Sequence, residues 1–316
     1  MKNKIITTIC GLLIALGAFA QQEATFSQYF FNPMYINPAY AGSRGIFSGT
    51  MVYRTQWVGM SGSPVTQQVG MSSMIPGSNI GLGLQFYNDE AGPLRNTDIS
   101  AIFSYHLKLG EKTKLAFGLE GCMDNLDLQF NDITVQNPDD PSFMNNNSSA
   151  WVPDFNAGLY LYRDQFFAGV SVKNLLQPKL GLQYEGGNGD ADFYRNYYFT
   201  TGLVAKLSDN VGIRPSILLN YVQAAPALLD LDASLIFNDR FYIGAGFRVD
   251  DRIGISGTDN AIIVSLEYDV ANRIRFGYSY DFYLSQNGNY TNGTHEIMLG
   301  WDLNSTKTRM SSPQYF

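Results

Sequence analysis

The sequence predicts an all-β fold, a transmembrane antiparallel β-barrel of about fourteen strands, on three observations. Segments with strict two-residue alternation recur along the chain, and the connections between them are alternately short and long. After residue 20, no apolar run is long enough to cross a membrane as a helix. The mean hydropathy of −0.11 suits a soluble protein as well as a barrel, because lipid-facing and lumen-facing residues dilute one another along a strand.

The elements follow in chain order. Lys2 and Lys4 precede an uncharged apolar stretch from Ile5 to Phe19, and Ala18-Phe19-Ala20 supplies a small-x-small cleavage pattern. Residues 1–20 therefore read as a signal peptide, cleaved before Gln21 and exported through the general secretory pathway. As a membrane anchor the stretch would be short of the ~20 residues a bilayer needs. Ile9 stands before Cys10, where a lipoprotein would carry a small residue. Residues 21–44 are rich in aromatics (Phe26, Tyr29, Phe30, Phe31, Tyr35, Tyr40), are interrupted by Pro33 and Pro38, and do not alternate. So many rings do not suit an exposed tail. Three placements are open: a plug in the lumen, a cap under the periplasmic rim, or an external docking peptide. The candidate partner-binding residues are Phe30, Asn32, Pro33, Tyr35, Asn37, Pro38 and Tyr40.

The barrel is expected over 45–303, with strands near 46–58, 64–75, 79–88, 95–109, 112–128, 151–162, 165–174, 192–207, 211–222, 226–237, 241–249, 258–270, 273–284 and 293–303. Between Arg273 and Tyr283, Ile274, Phe276, Tyr278, Tyr280 and Phe282 share one face. Arg275, Gly277, Ser279 and Asp281 share the other, as a strand between lipid and a wet lumen requires. A β-sandwich alternates too, but it has no reason to sort its loops by parity. Here every second connection is short: Pro76-Gly77-Ser78, Gly110-Glu111, Arg163-Asp164, Ser208-Asp209-Asn210, Asn238-Asp239-Arg240 and Ala271-Asn272. Most of the others are longer, notably 129–150, 175–191 and 285–292. Short periplasmic turns facing longer extracellular loops are the asymmetry of outer-membrane barrels. Pro313 interrupts the last residues, so the final strand ends near Leu303 and 304–316 is expected to be a periplasmic tail.

Composition narrows the function. Cleavage removes two of the 21 basic residues and none of the 28 acidic ones, leaving a net charge of −9. That is a poor match to nucleic acid. Only Cys122 survives cleavage, so no internal disulfide can form. With His106 and His295 as the only histidines, most catalytic constellations are out of reach. His106 shares a strand face with Ser104, but neither an orienting carboxylate nor an oxyanion hole is evident beside them, and a hydrogen-bonded lumen pair is the simpler reading. His295 has lipid-facing parity with Ile297, Leu299, Trp301 and Leu303. Asp139-Asp140 and Asp250-Asp251 lack calcium-loop spacing, and no CxxC, HExxH or GxGxxG pattern supplies a metal or cofactor site. No catalytic residue, cofactor or metal is expected.

Lumen parity gathers Glu120, Asp124, Lys206, Arg214, Asp230, Asp232, Arg248, Glu267, Asp269, Arg275, Asp281, Glu296 and Asp302. A charge-lined channel would use such a set, yet a selective pore usually shows one sign. Mixed signs suit ion pairs that fill a closed barrel.

The residues also carry a family resemblance. The opening run Phe26-Ser27-Gln28-Tyr29-Phe30-Phe31-Asn32-Pro33-Met34-Tyr35-Ile36-Asn37-Pro38-Ala39-Tyr40-Ala41-Gly42-Ser43 resembles the N-terminal signature of the PorP/SprF family of type IX secretion proteins of Bacteroidetes. Further matches are Tyr53-Arg54-Thr55-Gln56-Trp57, Gly81-Leu82-Gly83-Leu84, Gly92-Pro93, Lys114-Leu115-Ala116-Phe117-Gly118, Gly277-Tyr278-Ser279-Tyr280-Asp281 and Thr294-His295-Glu296-Ile297-Met298-Leu299-Gly300. Gln314 stands where the family often has a basic residue, and Arg195-Asn196 where it commonly shows Arg-His. The resemblance implies a non-catalytic outer-membrane barrel. Its work would be the secretion or surface attachment of a dedicated partner, such as a gliding-motility adhesin, through that partner's C-terminal signal domain. Its other implied partners are type IX components, including periplasmic peptidoglycan-associated proteins, and outer-membrane lipid. A porin or hydrophobic-solute channel is the alternative function.

Overall fold

A computed structural model of the chain describes residues 24–129, 148–184, 187–223, 225–250, 260–270, 273–284 and 286–303, without the side chains of 148, 179–192, 286 and 287. The expected leader (1–20) and tail (304–316) lie outside the described residues. So do most of the 129–150 loop with Asp139-Asp140, the turn Ala271-Asn272, and Asp251.

Fourteen antiparallel strands close into a barrel. They are β1 (Phe47–Thr55), β2 (Val65–Met74), β3 (Ile80–Ala91), β4 (Leu94–Lys108), β5 (Lys114–Leu128), β6 (Ser148–Arg163), β7 (Phe166–Lys173), β10 (Asn196–Leu203) continued by β11 (Ala205–Lys206), β12 (Val211–Val222), β13 (Leu228–Phe237), β14 (Phe241–Asp250), β15 (Ala261–Val270), β16 (Ile274–Tyr283) and β17 (Thr294–Leu303). Each pairs with its chain neighbours, and the ring closes between the first and last, from Phe47↔Leu303 to Thr55↔His295. An even number of strands leaves both ends of the barrel on the short-turn side. The expected strand order is what is observed, with one addition: the long connection after β7 forms its own hairpin, β8 (Lys179–Tyr184) with β9 (Gly187–Asp192). The eighth barrel strand accordingly starts at Asn196 rather than near 192.

Alternation decides which side chain faces where. On β16 Ile274, Phe276, Tyr278 and Phe282 are exposed, while Arg275, Gly277, Ser279 and Asp281 are buried. Short turns rest on residues that tolerate left-handed backbone: Asn238 (φ 51°) and Asp239 (φ 54°) join β13 to β14. One seam is irregular. Pro215 on β12 has no N–H to give the ladder, and the facing strand is interrupted at Val204. Pairing resumes beyond the break in the same register, Gly202↔Ser216 on one side and Ala205↔Ile213 on the other.

The main buried apolar cluster lies inside this ring, and half of it comes from residues 26–41, which are not part of the wall.

Candidate functional site

Residues 26–44 pass through the interior of the barrel. Proline fixes the first helical position of α1 (Pro33–Ile36). The Asn37 side chain then accepts the Ala39 N–H (3.0 Å) to start a 3-10 turn, Pro38–Tyr40. Gly42 (φ +74°) turns the chain towards β1.

Near the long-loop ends of the strands, the segment is gripped by charge. The Glu296 carboxylate accepts the backbone N–H of Ser27 (2.9 Å) and of Gln28 (2.8 Å). Ser27 donates its hydroxyl to Asp281 (2.7 Å). Arg54 ties the group together, reaching Asp281 (2.9 Å), Glu296 (3.1 Å) and the Ser27 oxygen (2.8 Å). Next to it Arg248 makes a two-pronged pair with Asp230 (2.8 and 2.7 Å) and donates to the Phe26 carbonyl (3.4 Å).

Midway, polar side chains relay the grip across three strands. Asn32 donates to Gln68 (2.9 Å), Gln68 to Gln85 (3.0 Å), and Gln85 to both Glu120 (3.1 Å) and the Met34 carbonyl (3.3 Å). Ser100 and Asn156 complete the Glu120 carboxylate. Ser171 donates to the Ile36 carbonyl (2.6 Å) and Asn37 to the carbonyls of Leu159 and Val170. The Arg214 guanidinium lies over Phe30 (4.3 Å) and Phe31 (4.5 Å), and Lys173 over Tyr35 (4.0 Å).

Near the short-turn ends, Ser104 and His106 both hydrogen-bond the Ala41 carbonyl (2.6 and 2.8 Å), and the second ring nitrogen of His106 meets the Tyr162 hydroxyl (2.8 Å). The pair that resembled a nucleophile and its base is thus spent on holding backbone. Arg44 closes the path on Asp302 (2.6 Å).

Glycines in the wall make room. A Cβ at Gly118 would strike the Ala39 backbone, and one at Gly81 would strike the Ala41 carbonyl. Two cavities border the segment, about 30 Å³ beside Tyr35 and Glu120 and about 20 Å³ beside Asn32 and Arg44. A water needs roughly 10–15 Å³ of such volume, so each has room for a water or two.

Burial, more than charge, supplies the retention. Phe26, Tyr29, Phe30, Phe31, Tyr35 and Tyr40 are each at most 6 % exposed. At roughly 1.5–3 kcal/mol per large apolar side chain, they contribute on the order of 10 kcal/mol. Buried ion pairs come close to breaking even against desolvation. Their part is to fix where the segment sits.

The expected lumen residues Glu120, Arg214, Asp230, Arg248, Glu267, Arg275, Asp281 and Glu296 are all buried within the ring, and Asp232 is partly so. They do not share one task. Glu296, Asp281, Arg248 and Arg214 contact the segment directly, whereas Glu120 does so through Gln85. Phe30, Asn32, Pro33, Tyr35, Asn37, Pro38 and Tyr40 are buried as well, so in this arrangement they present no surface to an external partner. Reading by parity missed Arg54 and Arg44. Arg54 shares its inward row with Ser48, Thr50 and Val52, too mixed a set to stand out, and Arg44 precedes the first strand.

A closed antiparallel ring with an apolar exterior and a charged interior defines an outer-membrane β-barrel. The chain belongs to the PorP/SprF family, described as type IX secretion system membrane proteins, whose profile matches residues 18–301. Family and fold are of a non-enzymatic type. No match is found among curated proteins. Among solved structures, the toluene transporter TbuX of Ralstonia pickettii is similar in fold. It is 11 % identical, with 85 % of this chain and 92 % of that one covered at a TM-score of 0.50. The monoaromatic hydrocarbon channel CymD is 12 % identical, with 88 % and 92 % covered at 0.48.

Proposed function

We propose that this protein is a non-conducting accessory barrel of the type IX machinery, which assists secretion or surface attachment of a dedicated partner by binding that partner's C-terminal signal domain. The observation that carries this reading is the occupied lumen. A barrel whose interior holds its own residues 26–44 is built as a scaffold, with binding left to its loops and rims. Residues 24–44 act as its plug, and other type IX components meet it from the periplasmic side.

Two measurements test the reading. Purified protein in planar bilayers is expected to show no stable open state, and a steady conductance would instead support a solute channel. Deleting the gene is expected to abolish surface display of the partner. Unchanged display of every type IX substrate would overturn the secretion role.

A further inference from the structure

At the long-loop end of the barrel, the β1–β2 connection (56–64) is tied to its neighbours on both sides. Val58 donates its N–H to the Gly293 carbonyl (2.9 Å) and accepts the Asn292 N–H (2.7 Å), which joins the loop to the β16–β17 connection. On its other flank the Gly92 N–H, in the β3–β4 turn, donates to the Gly62 carbonyl (2.9 Å). The loop also closes on itself, the Gln56 N–H donating to the Pro64 carbonyl (2.9 Å). Trp57 holds φ at 50°, a conformation that a bulky residue keeps only where its surroundings enforce it. Its N–H donates to the Thr294 hydroxyl (3.1 Å), and its indole packs near Tyr283, with ring centres 6.3 Å apart. The result is a braced platform whose chemistry differs from the rest of the chain. Residues 56–64 and 288–293 carry no charged side chain, in a sequence that is 16 % charged. Met60 (38 % exposed) follows Val58 by two positions, and Tyr290 (76 % exposed) precedes Asn292 by two. Ser61, Asn289 and Asn292 are exposed around them.

We infer that this platform is where the dedicated partner docks, in a protein–protein contact made through neutral side chains. The inference rests on the accessory reading above and gives that reading a place on the barrel. Loss of charge together with Trp, Tyr and Met is the composition of an interface core, not of an ordinary solvated loop. Tyr among Asn, Ser and Gly is also the mix that binding loops use, with the ring supplying area and the small polar groups adaptable hydrogen bonds. The phosphates of a lipopolysaccharide would call for Lys or Arg, and these two stretches hold neither. The soft Met60 thioether suits the apolar side chains of a protein better than sugar hydroxyls. Loops already bonded to one another lose little freedom on binding, so affinity does not have to offset their ordering. In the orientation expected for such barrels the long loops face outward. The platform therefore serves a partner that has already crossed the membrane.

The test first identifies the partner, as the surface protein lost when the gene is deleted and restored by the wild-type gene. Complementation with the double variant Met60→Glu, Tyr290→Glu is expected to lower its display. Leu176→Glu, at an exposed apolar position on another long connection, is expected to restore it fully. The purified full chain should bind the partner's C-terminal domain, and the double variant about tenfold more weakly, the order lost with one interface hot spot. Leu176→Glu should bind as wild type does. Heat-modifiable migration reports that each variant is a folded barrel. If deletion costs no surface protein, the accessory reading fails and takes the platform with it. If a partner is lost on deletion but the double variant displays and binds it normally, the platform is overturned and the accessory reading stands. Equal impairment by Leu176→Glu has the same consequence. Binding that disappears when glycans are stripped from the partner's domain would assign the platform to carbohydrate, and would overturn the proposal too.

Discussion

At the scale of single residues, Arg54 is the position with most at stake. It is 1 % exposed and is the shared cation of Asp281 and Glu296, both fully buried. Removing one partner of a buried pair costs about 3–5 kcal/mol, because the other charge is left unpaired. Arg54→Met should therefore lower the unfolding free energy of the reconstituted barrel by that order, read as a lower urea midpoint. Asp281 keeps a second cation, Arg248, at 3.7 Å, which places the loss at the lower end. The triple change with Asp281→Asn and Glu296→Gln should recover part of it. A midpoint unmoved by Arg54→Met would show that the cluster contributes position and no stability. Gly118 makes a different demand. A side chain there meets the backbone of Ala39, which cannot swing aside as a flexible side chain would. Overpacking of this kind costs about 1–3 kcal/mol, and Gly118→Val is expected to loosen the segment while the wall persists. Limited proteolysis would show new cleavage near residue 39, with heat-modifiable migration retained.

At the scale of elements, the wall and the segment inside it are separable. In the ladder the fourteen strands pair only with one another, and the segment contributes no strand to the ring. Deleting residues 24–44 should thus leave a barrel that still migrates as folded but conducts steadily in planar bilayers. A silent folded barrel would mean that loops, not the segment, close the lumen. The wall was legible in the sequence because alternation is a local property: a face that must meet lipid spells itself out every second residue, as on β16. The segment was legible only as an anomaly. Its rings had to be buried, yet nothing local says where, since its partners Glu296 and Asp281 lie more than 250 positions away. Ser104 and His106 show the same limit. Their shared face was readable, but the Ala41 carbonyl that engages both is a long-range contact.

At the scale of the whole molecule, the segment runs the length of the barrel, and that path has a testable direction. Ser27 and Gln28 sit beside Arg54, Asp281 and Glu296, each one or two residues from the long-loop end of its strand. Ala41 and Arg44 sit beside Ser104, His106 and Asp302, close to the short-turn end, where β1 begins. With the short turns in the periplasm, the chain leads upward from β1 and brings Thr25, half-buried, to the outer mouth. Cys122, the other thiol after residue 20, is 6 % exposed and offers little background. Thr25→Cys should then react with a membrane-impermeant maleimide on intact cells. Asp239→Cys, in an exposed short turn, should react only once the outer membrane is permeabilised. Reversed labelling of the two would invert the barrel in the membrane. Protection of Thr25→Cys in both conditions, with Asp239→Cys behaving as expected, would mean that the loops seal the mouth above the segment. In that case, a partner arriving from outside would meet the loops alone.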